Sequence, residues 1–228
     1  MTRHRRAELA LLIGLACYAF AARRLVPARA RIPSNLSAAS ASLLLARAIG
    51  VSIADLGLER QHARRGLRLG MQTALPISLA AAAAVAWPRT RAVLNDPRVT
   101  EATVREATFE TLVRIPLETA IAEELLFRGS LLGIGLDART PAAAVANSAL
   151  AFGLWHIPST LESVNDGATA RPATATAVVV AATALAGVGL AVLRLRARSV
   201  VAPIVVHAAL NMTTYSGVWL TARSKARG

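Results

Sequence analysis

The chain predicts an all-α fold, a polytopic transmembrane bundle of about seven helices forming one integral membrane domain over residues 1–228. Three observations predict it. Of 228 residues 54% are hydrophobic, with a mean hydropathy of +0.47, too apolar for an ordinary soluble domain. The apolar residues gather into Ala/Leu/Val runs that approach the roughly 20 residues a helix needs to cross a bilayer. Short links carrying arginine and the breakers proline and glycine separate those runs.

The first run, 7–26, follows "TRHRR" and resembles a signal peptide in its basic, apolar and Ala-x-Ala parts. We read it as an uncleaved first span, because further apolar helices follow. Cys17 lies in it and is the single cysteine, which excludes an internal disulfide and a thiolate metal site. Its expected place is that of a small buried hydrophobe. The second run, 36–53, is weakly apolar at "SNLSAASAS" and interrupted by Arg47, so a tilted, re-entrant or interfacial helix is expected. A third covers 68–87.

Arg98 to Leu117 reads as a separate element, since Glu101, Arg105, Glu106, Glu110 and Arg114 alternate in sign at helical spacings. It suits a solvated or interfacial helix entering the fourth span, 111–136, with Pro116 as a kink. Three more runs follow at 141–158, 174–193 and 199–221, joined by "DARTP", "IPSTLESVNDGATARP" and "LRLRARS". No repeat or long linker divides the chain.

A net charge of +13 and a pI near 11.7 would also suit nucleic acid. The arginines, however, fall between apolar runs and at both ends, which is juxtamembrane charge, so the expected partner is the lipid bilayer and no nucleic acid. Basic residues are nearly balanced between alternate loops, leaving orientation open. His4 and His62 sit in arginine-rich loops and read as solvated.

Ionisable groups inside spans are costly and point to function. They cluster in three stretches: Glu123, Glu124 and Arg128 in "AEELLFRG", Phe152 and His156 in "AFGLWHIP", and His207 and Asn211 in "VVHAALNMTT". Glu124 and Arg128 stand at i and i+4 with the acid N-terminal, the favourable order for an ion pair. Glu123 points elsewhere and is left for chemistry. A structural network locking helices together would account for the same acids. Phe152 with His156, and His207 with Asn211, each share a helix face. Ser148 shares the face of Phe152 and His156 and either lines the cavity or packs against a neighbouring helix.

"GxSxG" is absent and no serine or cysteine nucleophile stands beside a base, so water is the expected nucleophile. Glu123 would take its proton and His156 would hold it. His207 and Asn211 would donate to the oxyanion of an attacked carbonyl. Glu123, His156 and His207 also match a two-histidine, one-carboxylate zinc site, so a metal-free and a zinc mechanism both stay open. Either one hydrolyses an amide.

The three motifs, "EELLFR", "FGLWH" and "HAALN", occur in order on separate predicted helices and resemble Glu-Glu-x-x-x-Arg, Phe-x-x-x-His and His-x-x-x-Asn. The chain thereby resembles the CAAX prenyl endopeptidase and bacteriocin-processing family (CPBP, or Abi) of intramembrane proteases over a core of approximately 105–221. "IADLGLER" near residue 55 is similar to the loop preceding that core. The resemblance implies a helical bundle with an intramembrane catalytic cavity, Glu123 as base, His156 positioning water, His207 and Asn211 as the oxyanion site, and Glu124 and Arg128 as scaffold. It implies no required cofactor, with zinc as the alternative. About seven helices stand where the prenyl proteases have eight, and nothing signals a prenylated partner. The expected function is an intramembrane endopeptidase of a bacterial cell membrane, cutting a peptide or membrane-protein substrate. The competing expectations are a non-catalytic membrane scaffold, a bacteriocin self-immunity protein, and a proton or solute transporter.

Overall fold

The computed structural model describes residues 2–94, 96–163 and 172–225, and among these every regular element is a helix. In order they are α1 (Arg3–Leu25), α2 (Ala28–Ala48), α3 (Arg60–Ala86), the short α4 (Pro88–Leu94) and α5 (Pro97–Thr100), a long α6 over 104–138, α7 (Pro141–Trp155), α8 (Ile157–Ser163), α9 (Pro172–Ala197) and α10 (Val201–Lys225). Each apolar run read from the sequence lies on one of the longer helices. In the link "IPSTLESVNDGATARP", residues 164–171 lie outside the described residues.

The boundaries differ from expectation in two places. The second helix begins at Ala28 and runs through Pro33, so "ARARIPSN", whose charge and proline suggest a link, is helical. The expected separate element at Arg98–Leu117 does not exist as such. Thr103 caps α6: its hydroxyl accepts from the Glu106 amide at 3.3 Å while the Glu106 carboxylate accepts from the Thr103 amide at 2.8 Å. This reciprocal box starts a helix at Val104 that continues unbroken to Ala138. It is π-helical over Glu110–Ile121 and Leu125–Leu131. Pro116 lies in the first of these stretches, where wider bonding absorbs the amide that proline lacks.

Large apolar side chains stand on the outside, and several charged ones are buried among an otherwise apolar interior. On α3, Leu67, Met71, Leu75 and Leu79 recur every four residues and are half exposed or more, whereas Glu8, Glu118, Glu124, Arg128, Arg194 and His207 are buried. Water would penalise that arrangement, and hydrocarbon favours it. Arg60–Ala86 and Ala173–Ala197 are long and apolar enough to cross a membrane by length and composition. Cys17 is exposed, contrary to expectation, because α1 turns Glu8, Leu11, Leu15 and Ala19 inward and Cys17 lies off that stripe.

Small residues and buried charges fix the packing. The buried face of α3 carries Gly66, Gly70 and Ala74 against α10, so close that a Cβ on Gly70 would lie 2.9 Å from Val205 Cβ. Arg139 donates to the buried Glu8 at 2.7 and 3.0 Å and Asn147 donates to it at 2.6 Å, tying α1 to α7. Arg194 on α9 donates to the carbonyls of Ala54 and Asp55, holding the "IADLG" loop against the bundle. The arginine-rich loops are less solvated than expected at His62, whose Nε2 lies 3.3 Å from Glu59, and at His4, 3.8 Å from Asp137.

Candidate active site

Three helices converge on the charged cluster. The α6 stretch supplies Glu123, Glu124 and Arg128, all buried; α7 ends with Phe152 and Trp155, and His156 follows it; α10 supplies His207 and Asn211. The expected pair forms, with Arg128 Nη1 donating to Glu124 Oε1 at 3.0 Å and both side chains fully buried. Arg128 also donates from Nη2 to the Gly187 carbonyl at 3.3 Å and lies 4.1 Å from the Phe152 ring centroid. Position 187 allows this because it has no Cβ; one placed there would meet Arg128 Nη2 at 3.2 Å.

Glu124 has a further partner that spacing could not foretell. His207 Nδ1 lies 2.8 Å from the same Oε1, so a single carboxylate oxygen receives both the guanidinium and the imidazole. With Nδ1–H donating to Glu124, the other ring nitrogen, Nε2, is turned toward Glu123, 4.0 Å from its Oε2. Donation from Nε2 then requires a ring carrying both protons. His156 is fixed in the same way: its Nδ1 lies 2.8 Å from the Phe152 carbonyl, an acceptor, which leaves Nε2 with a free lone pair. Phe152 packs edge-on to both imidazoles, at 4.8 Å from His156 and 5.7 Å from His207.

The second glutamate is not fully left over. Trp155 Nε1 donates to Glu123 Oε1 at 3.0 Å, while Glu123 Oε2 is buried with no hydrogen-bond partner. A buried acceptor without a partner calls for an explanation. Sequence reasoning missed Trp155, although it stands inside "FGLWH" one residue before the histidine and 32 residues from Glu123.

Phe152, His156, His207 and Asn211 line one cavity of ≈ 310 Å³, whose remaining wall is mostly apolar and includes Ile77, Leu190, Leu193, Val206 and Leu210. Glu123 does not line it. It faces a separate polar pocket of ≈ 230 Å³ with Asn35, Glu118, Thr119 and Trp155, and meets the first cavity's residues through His207. Ser148 is fully buried and donates to the Phe127 carbonyl at 2.8 Å, so it packs helices and stays out of the cavity. Among the described residues no group of three His, Cys, Asp or Glu side chains is placed to hold a metal ion.

Residues 106–213 match the family model of the Type II CAAX prenyl endopeptidases, Rce1-like, in agreement with the motifs they contain. No curated protein and no solved structure matches the chain. The matched span opens at Glu106 of the capping box and closes two residues after Asn211, so all three motifs fall within it. Over that span the chain is similar to a membrane-embedded family of CAAX-type proteases.

Proposed function

We propose, from that similarity to the Rce1-like model, that the protein is an intramembrane endopeptidase that crosses a bacterial cell membrane several times and hydrolyses a peptide bond in a peptide or membrane-protein substrate. The observation that carries the reading is Glu123 Oε2: buried, without a hydrogen-bond partner, and 4.0 Å from His207 Nε2. Glu124 Oε2 is buried without a partner as well, but that carboxylate is fully buried and charge-paired, whereas Glu123 lines a polar pocket where its open acceptor can meet something the protein does not supply.

Water is that partner. Glu123 Oε2 accepts a proton from it, and His156, whose Nδ1–H is held by the Phe152 carbonyl, accepts its second hydrogen bond at Nε2. The water oxygen forms a bond to the carbonyl carbon, and the carbonyl π electrons move onto oxygen. Asn211 Nδ2–H and the doubly protonated His207 Nε2–H donate to that oxyanion. When the oxyanion collapses, the C–N bond breaks and the leaving amine takes the proton from Glu123. Glu124 accepts from His207 and Arg128 throughout, fixing the imidazole with a charged hydrogen bond.

No metal enters this scheme. The geometry of His207, with Nδ1 held by Glu124 and Nε2 turned toward Glu123, suits an oxyanion donor and a zinc ligand alike, and chelation separates the two. The experiment is cleavage of a quenched-fluorescence peptide library by the detergent-solubilised protein, with and without chelator. Cleavage that resists chelation and disappears in His156→Ala supports the proposal; activity abolished by chelator and restored by zinc moves the site to a metal mechanism.

A further inference from the structure

Hydrolysis consumes one water for every bond cut, yet the cavity that holds His156, His207 and Asn211 is walled mainly by aliphatic side chains. Such a wall holds water poorly. The polar pocket on the other side of Glu123 has the opposite character. Arg23, Arg31, Asn35, Glu110, Arg114 and Glu118 contribute to its lining, and its ≈ 230 Å³ has room for several waters. Arg31 Nε, on one of its lining residues, is buried without a hydrogen-bond partner, as is Glu123 Oε2. Trp155 also lines this pocket and holds Glu123 Oε1.

The pocket continues outward. Glu110 and Arg114 belong equally to a larger groove of ≈ 760 Å³ lined by Arg29, Glu101 and Glu106. At the shared wall Arg114 is pinned between two acids, donating to Glu110 at 2.8 Å and to Glu118 at 3.1 Å. The sequence read these alternating charges as a solvated helix; they line a polar path that ends at Glu123.

We infer that the polar pocket is an aqueous chamber that supplies water to Glu123 and exchanges its proton, while the apolar cavity on the far side of His207 admits the substrate. The inference rests on Glu123 being the catalytic base. Glu123 then separates two compartments, one face of its carboxyl held by Trp155 at the chamber and the other turned toward His207. Arg114 bridges Glu110 and Glu118 at the neck.

The first test reads water access without needing activity. In a Cys17→Ser background, Thr119→Cys in the chamber wall is treated with a charged, membrane-impermeant methanethiosulfonate, with the exposed Gln61→Cys as reference. Labelling on the timescale of the reference is expected; labelling only after denaturation overturns the inference. The second test fills the chamber with Ala22→Leu, or with Thr119→Leu should the former fail to fold. The expected result is a fall in kcat of about tenfold or more with KM unchanged. Unchanged kcat in a protein that Glu123→Gln inactivates overturns the inference, and so does a raised KM alone, which would make the chamber a substrate site. Full activity in Glu123→Gln would instead remove the reading of Glu123 as base, while the labelling result would still report whether the chamber is wet.

Discussion

Glu123 and Glu124 are neighbours in sequence, on the same turn of α6, yet they stand in two different regions of the molecule. Around Glu124 a single oxygen takes hydrogen bonds from Arg128 and His207, and Arg128 is stacked on Phe152 and tied to α9. Around Glu123 there is one bond from Trp155, an open acceptor and a polar pocket. A helix sends successive side chains about 100° apart, so one dipeptide can place one acid in a wall and the next at an opening. A buried site can thereby keep its scaffold and its reactive group separate: a fully buried carboxylate paired with two cationic or imidazole donors forms the first, and one with a single neutral donor and a polar pocket at hand forms the second, although each keeps one oxygen without a partner.

The comparison breaks most visibly if the wall is removed. Arg128→Met leaves Glu124 as a buried charge with only the imidazole beside it, and the expected loss of stability is about 3–5 kcal/mol, read by thermal unfolding in detergent. A variant as stable as wild type would mean that Glu124 is not part of a locked wall. Next in size is Trp155→Phe, which keeps the ring against Phe127 and Tyr18 but deletes the donor to Glu123. A hydrogen bond to a charged group is worth about 1.5–3 kcal/mol, so stability should fall by no more than that, while kcat/KM should fall by about a hundredfold or more because the carboxyl also loses its orientation. Equal losses of stability and activity would place Trp155 in the scaffold instead. The smallest effect is expected at Ser148→Ala, whose hydroxyl only joins α7 to the Phe127 carbonyl. Stability should drop by about 1 kcal/mol and cleavage should hold, whereas lost cleavage would return Ser148 to the site.

Much of this was legible before the structure. The apolar runs lie on helices because burial in lipid and helical bonding obey the same length rule, and the Glu124–Arg128 pair followed from i, i+4 spacing alone. What spacing along one helix cannot carry is contact between helices. His207 reaches Glu124 across 83 residues of sequence and Trp155 reaches Glu123 across 32, and no local pattern encodes either distance. Charge misled at two points for one reason. "ARARIPSN" read as a link and Arg98–Leu117 as a separate surface helix because arginines and acids suggest water, but here Arg114 and Glu118 pair and line an internal pocket. Cys17 went the other way, facing outward where an apolar exterior tolerates a thiol.

The central claim is that the free oxygen of Glu123 performs the chemistry while Glu124 holds the frame. The most direct measurement is the cleavage rate of one peptide by Glu123→Gln and Glu124→Gln, each with its unfolding temperature recorded alongside. The account predicts that Glu123→Gln folds as wild type and loses about 10²–10⁴-fold in rate, while Glu124→Gln unfolds at lower temperature. Cleavage at the wild-type rate by a well-folded Glu123→Gln would contradict it.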